Sequence, residues 1–127
     1  MNQHKKRILV VDDEPGITKM LKLNLEQTGR YEVIMENSAQ KAFWTAQRTA
    51  PDLILLDILM PGKDGGELAS VFRESAKLKE VPIVFLTAAA TKEEVQTHHG
   101  SIGGLPFLAK PVDMQEVITC LKQHLGS

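Results

Sequence analysis

Short apolar runs alternate with longer amphipathic stretches along this chain, and that alternation restricts it to one class of architecture. Ile8-Leu9-Val10-Val11, Leu53-Ile54-Leu55-Leu56 and Ile83-Val84-Phe85-Leu86 contain no polar residue. Runs of that length, rich in branched side chains, read as strands buried on both faces. Tyr31-Glu32-Val33-Ile34-Met35 alternates loosely, as an edge strand does, and Phe107-Leu108 marks a short last strand. Helical stripes lie between them: Ile17, Met20, Leu21 and Leu25, stopped by Gly29; Ala39, Ala42, Phe43 and Ala46; Leu68, Val71 and Phe72; and Val117, Ile118, Leu121 and Leu125. The polar stretch from Thr91 to His99, anchored mainly by Val95, predicts a fourth helix before the last one. Thr91-x-x-Glu94, Asp113-x-x-Glu116 and Asp64-x-x-Glu67 have the form of helix-capping boxes. Repeats of strand then helix imply a parallel sheet with helices on both faces, joined by right-handed crossovers.

The chain has 127 residues, the size of one domain with one core, so a single domain over 1–127 is expected. Its 15 Lys+Arg nearly cancel its 16 Asp+Glu. No strong net field draws it to nucleic acid or to an anionic membrane. Cys120 is the one cysteine, so an internal disulfide is excluded and a reducing, cytoplasmic setting fits. The apolar run after Met1-Asn2-Gln3-His4-Lys5-Lys6-Arg7 ends at Val11. It is too short for a signal peptide or a membrane span.

In open parallel sheets, ligands bind beyond the carboxyl ends of the strands. Asp12 and Asp13 follow the first apolar run, Asp57 the third, Thr87 the fourth and Lys110 the fifth. The second ends at Glu36-Asn37-Ser38, with no obvious reactive group. Three carboxylates, a hydroxyl and an ammonium therefore converge on one rim. Clustered carboxylates repel one another and call for a cation. An all-oxygen set favours Mg²⁺, Mn²⁺ or Ca²⁺ over zinc. Mg²⁺ typically uses one or two carboxylates together with a phosphate, and a carboxylate can itself be the nucleophile that forms an acyl phosphate.

Asp12-Asp13-Glu14-Pro15, Asp57-x-x-Met60-Pro61-x-x-Asp64-Gly65, Thr87-Ala88 and Lys110-Pro111 together resemble the receiver domain of two-component response regulators. The likeness runs through nearly the whole chain in order and spacing. It implies a flavodoxin-like (βα)₅ fold with strand order 2-1-3-4-5. It implies that Asp57 accepts a phosphoryl group from a sensor histidine kinase or phosphotransfer protein. By the same resemblance, Asp13, Asp57 and the backbone carbonyl of Leu59 would bind Mg²⁺ directly, and Asp12 largely through water. Lys110 would pair with the phosphoryl group. Thr87 would move toward it and Phe107 would follow inward. Those shifts would reshape the face of the fourth helix, fifth strand and fifth helix for an unknown downstream effector. The Lys110–Pro111 bond would be cis. Residues two positions after the acceptor and two after the switch hydroxyl flank the path of a hydrolytic water in this family; here they are Leu59 and Ala89, neither of which can hydrogen-bond a water through its side chain.

Each residue also has a plainer reading. Asp13 before Pro15 has the place of a helix cap, and Phe107 that of a core residue. Gly65-Gly66 lacks a full phosphate-loop fingerprint and reads as a turn. Adjacent His98 and His99 diverge on a helix and read as solvated. Trp44 lies off its helix's main stripe, as packing residue or partner contact. Two rival functions stand beside the receiver. A small phosphatase with an aspartyl-phosphate intermediate needs an acid two residues after the nucleophile, where this chain has Leu59. A flavodoxin-like cofactor binder would set three rim acids against its cofactor's phosphate. One departure from the family pattern stands out: in Gly100-Ser101-Ile102-Gly103-Gly104-Leu105-Pro106, Leu105 and Pro106 are more apolar and stiffer than the usual polar residues before the switch aromatic, and Phe107 lacks a tyrosine's hydroxyl.

Overall fold

The computed structural model describes residues 5–60, 63–88, 101–102 and 105–126. Each long apolar run has become a strand: β1 Lys6–Val11, β2 Tyr31–Glu36, β3 Leu53–Asp57, β6 Ile83–Thr87 and β8 Leu105–Ala109. They lie side by side in the order β2-β1-β3-β6-β8, all parallel. This is the flavodoxin-like order 2-1-3-4-5 expected from the sequence, with β2 at one edge. Two short hairpins were not foreseen. β4 Leu59–Met60 pairs antiparallel with β5 Lys63–Asp64, and β7 Ser101–Ile102 extends the other edge antiparallel to β8.

The period of two along each central strand sends alternate side chains into two cores. On one face, Leu9, Val11, Ile54, Leu56, Ile83 and Phe85 pack against helices α2 Ala39–Thr49 and α3 Gly65–Glu74. On the other, Ile8, Val10, Leu53, Leu55, Val84 and Leu86 pack against α1 Pro15–Gln27 and α4 Met114–Leu125. The predicted stripes deliver the helix contacts: Leu21, Leu25, Ala42, Ala46, Phe72, Val117 and Leu121 are fully buried. Each leucine-sized side chain removed from water contributes about 1.5–3 kcal/mol.

The helix ends follow local chemistry. Pro15 opens α1, and Gly29, at φ 78°, turns the chain back toward β2. Ala50 ends α2 in the left-handed region at φ 50°, its N–H bonded to Ala46 O at 3.0 Å. Asp113 caps α4 as its sequence box predicted, accepting from the N–H groups of Gln115 and Glu116. The predicted helix from Thr91 to His99, with its capping box and the His98-His99 pair, lies outside the described residues.

Candidate metal and phosphoryl site

The sheet register assembles the rim. Val11 stands level with Glu36 on β2 and Leu56 on β3, Asp57 with Leu86 on β6, and Thr87 with Ala109 on β8. Ladder-type hydrogen bonds continue into the loops: Asp12 N–H to Glu36 O at 3.1 Å, Ile58 N–H to Leu86 O at 3.0 Å and Lys110 N–H to Thr87 O at 2.8 Å. The residues that leave the sheet are thus held nearly as firmly as those within it. The Lys110–Pro111 peptide bond is cis.

Asp12, Asp57 and Thr87 are all buried. One carboxylate oxygen from each of Asp12, Asp13 and Asp57 lies within 4.8 Å of the others. Lys110 reaches across to them, its Nζ 2.8 Å from Asp12 Oδ2 and 3.5 Å from Asp57 Oδ2. The same ammonium donates to Glu14 Oε1 at 3.1 Å. Burial on its own would lower the Lys110 pKa. The touching carboxylates of Asp12 and Glu14 and the charge of Asp57 outweigh that and raise it above the ordinary lysine value.

Asp12 is pinned on all sides. Its Oδ1 accepts the Glu14 N–H at 2.9 Å and its main-chain carbonyl accepts from the Asn37 amide at 2.8 Å. Asn37 also donates to the buried Thr18 hydroxyl at 3.0 Å. Apart from the ion contact with Lys110, Asp12 Oδ2 receives no hydrogen bond from the described residues. Three clustered carboxylates against one shared ammonium form a donor set that suits a hard divalent cation such as Mg²⁺. The plainer reading of Asp13 does not hold: Glu14, not Asp13, is the N-cap of α1, and the Glu14 side chain makes no cap hydrogen bond.

Other predicted residues have places as well. Phe107 is partly buried against the core beneath α2 and α3, level with Phe85. It also lines a groove of about 350 Å³ between β8 and α4, with Pro106, Cys120 and His124. Leu59 begins β4 immediately beyond the acid-bearing end of β3, its backbone paired with Asp64. Trp44 is 68% exposed, with the Arg48 guanidinium 5.1 Å from its ring centre, so it is not a packing residue. Ala89 lies outside the described residues. Sequence reasoning singled out neither Glu14 as a partner of Lys110 nor Asn37 as a brace for Asp12. The only signal for Asn37 was its place at the end of β2, on the same rim.

Residues 8–122 match the family model of the response regulator receiver domain. The chain is 36% identical over 120 residues to Response regulator Rre1 of Synechocystis sp., covering 94% of this chain and 51% of that protein. It is 38% identical over 121 residues to the alkaline phosphatase synthesis transcriptional regulatory protein PhoP of Bacillus subtilis, covering 94% and 48%. The chain therefore spans about half the length of these relatives. A solved structure of a putative response regulator from Chloroflexus aurantiacus superposes with a TM-score of 0.81 at 30% identity, covering 98% of this chain and 100% of that one.

Proposed function

Because this chain belongs to the response regulator receiver domain family, we propose that it is the phosphoacceptor of a two-component phosphorelay, with Asp57 as the acceptor. The observation that carries this reading is the buried Asp57 carboxylate, clustered with Asp12 and Asp13 and faced by the Lys110 ammonium at 3.5 Å. A carboxylate oxygen of Asp57 attacks the phosphorus of a phosphohistidine on a sensor kinase or phosphotransfer protein. The P–N bond breaks, and the imidazole leaves and takes up a proton. Asp13, Asp57 and the Leu59 carbonyl would hold Mg²⁺, with Asp12 acting through water. A bound Mg²⁺ neutralises the acids and the phosphoryl oxygens in the loose transition state of phosphoryl transfer.

Lys110 turns its ammonium to a phosphoryl oxygen, and the Thr87 hydroxyl donates to another. Phe107, already partly buried, then follows inward and changes the surface around β8 and α4 that an effector reads. The domain assists only its own phosphorylation and dephosphorylation, works in the cytoplasm, and is read as one receiver domain over 1–127. Among the described residues, no helix is long and apolar enough to cross a membrane.

Acetyl phosphate with MgCl₂ tests the assignment. Intact mass should show one added phosphoryl group, lost on hydroxylamine treatment, and Asp57→Asn should abolish it. Stoichiometric labelling of Asp57→Asn would move the acceptor elsewhere. Multiple-turnover hydrolysis of phosphoesters would instead establish the phosphatase reading.

A further inference from the structure

Two overlapping sets of acids meet at this rim. The metal-capable cluster is Asp12, Asp13 and Asp57. The acids around the ammonium are Asp12, Glu14 and Asp57. A divalent cation and the Lys110 ammonium therefore draw on the same two buried carboxylates, and like charges sharing one pair of acids oppose each other. Glu14 belongs to the ammonium's set alone.

Its setting suits it to hold that ammonium. The Glu14 N–H is fixed by Asp12 Oδ1 at 2.9 Å, and Pro15 follows directly. Its side chain makes no cap bond to α1 and remains 61% exposed, whereas Lys110 is 7% exposed. Lys110 is anchored at its own backbone by Thr87 O. The ammonium thus lies between two inner acids and one outer acid. Without Glu14, the ammonium's acidic partners among the described residues would be Asp12 and Asp57, the same acids a metal needs.

We propose that Glu14 is a positioning residue: it holds the Lys110 ammonium at the rim while a divalent cation draws on Asp57 directly and on Asp12 through water. This rests on the metal reading above and adds a competition between two cations, relieved by one residue that does not itself bind the metal. Glu14 should then raise Mg²⁺ affinity through Lys110 and not through its own charge.

A double-mutant cycle separates those routes. MgCl₂ is titrated calorimetrically into the unaltered chain, Glu14→Gln, Lys110→Ala and the double variant. Lys110→Gln serves as a second background should the alanine variant unfold without metal. Glu14→Gln should weaken Mg²⁺ binding about threefold, the coupling expected of a half-exposed ion pair. Lys110→Ala should tighten binding, and in either Lys110 background Glu14→Gln should change the affinity by less than about twofold. An equal loss with and without Lys110 would show that Glu14 acts by its own charge and overturn the inference. So would an unchanged affinity in Glu14→Gln. Failure of the unaltered chain to bind Mg²⁺ at all would overturn the metal reading itself, and this inference with it.

Discussion

Lys110 and Asp12 form an ion pair almost wholly shut off from water, with Nζ 2.8 Å from Oδ2 and side chains 7% and 0% exposed. Removing one partner of a buried pair strands the other charge. Lys110→Ala should therefore lose about 3 kcal/mol of stability in metal-free buffer. Saturating Mg²⁺ should restore part of that, because the folded variant, freed of the competing ammonium, binds the cation more tightly than the unaltered chain does. Urea unfolding with EDTA and with MgCl₂ checks this. An identical loss in both would mean that Mg²⁺ and the Lys110 ammonium do not compete for these acids.

The lifetime of the phosphorylated form should be long. Neither Leu59 nor Ala89 carries a side chain able to orient an attacking water, and such orientation is worth orders of magnitude in rate. Decay of phosphorylated protein in MgCl₂ should be roughly tenfold or more slower than in a Leu59→Asn, Ala89→Glu double variant. Equal decay would remove both positions from control of the lifetime.

The Tyr31 hydroxyl is buried and finds no hydrogen-bond partner among the described residues. Tyr31→Phe keeps the ring and deletes only the unsatisfied group. It should leave stability unchanged or raise it by up to about 1 kcal/mol. A loss of that size on chemical denaturation would reveal a partner, such as a bound water, for the hydroxyl.

Glu26 couples α1 to β2. Its carboxylate accepts the Val33 N–H at 3.0 Å and the Lys22 ammonium at 2.9 Å, and these bonds hold its pKa below the usual 4.5. A depressed folded pKa stabilises the protein above the unfolded value and ceases to do so as pH falls through the folded one. The side chain is 35% exposed. Glu26→Gln should thus lose only about 0.5 kcal/mol at neutral pH. The gap between the two proteins should close as pH falls below the ordinary glutamate value of 4.5. A gap that widens on acidification would contradict the sign of the shift.

Much of this site was legible because it sits where strands end. An apolar run announces a strand, and the next residue in a parallel strand must emerge on the ligand-binding rim. Asp12, Asp57, Thr87 and Lys110 needed no further information to be placed on that rim. Asn37 occupied an equivalent position but was passed over, because an amide at a strand end has no reactivity to advertise. Its part, bracing the Asp12 carbonyl from the neighbouring strand, depends on β2 lying beside β1.

The amino-acid sequence by itself determined the element order, the two-faced core and the chemical identities at the rim. Those follow from local periodicity and from residue type, which neighbours along the chain suffice to express. Tertiary structure alone decided which acids Lys110 meets. Only the packing of β8 beside β6, and β6 beside β3, carries that ammonium to Asp12, Glu14 and Asp57. It also decided that Trp44 faces solvent with Arg48 over its ring, and that short antiparallel pairs extend the design at β4-β5 and β7. Distances of a few ångströms between charges from distant parts of the chain set competition, affinity and pKa, and no local pattern encodes them.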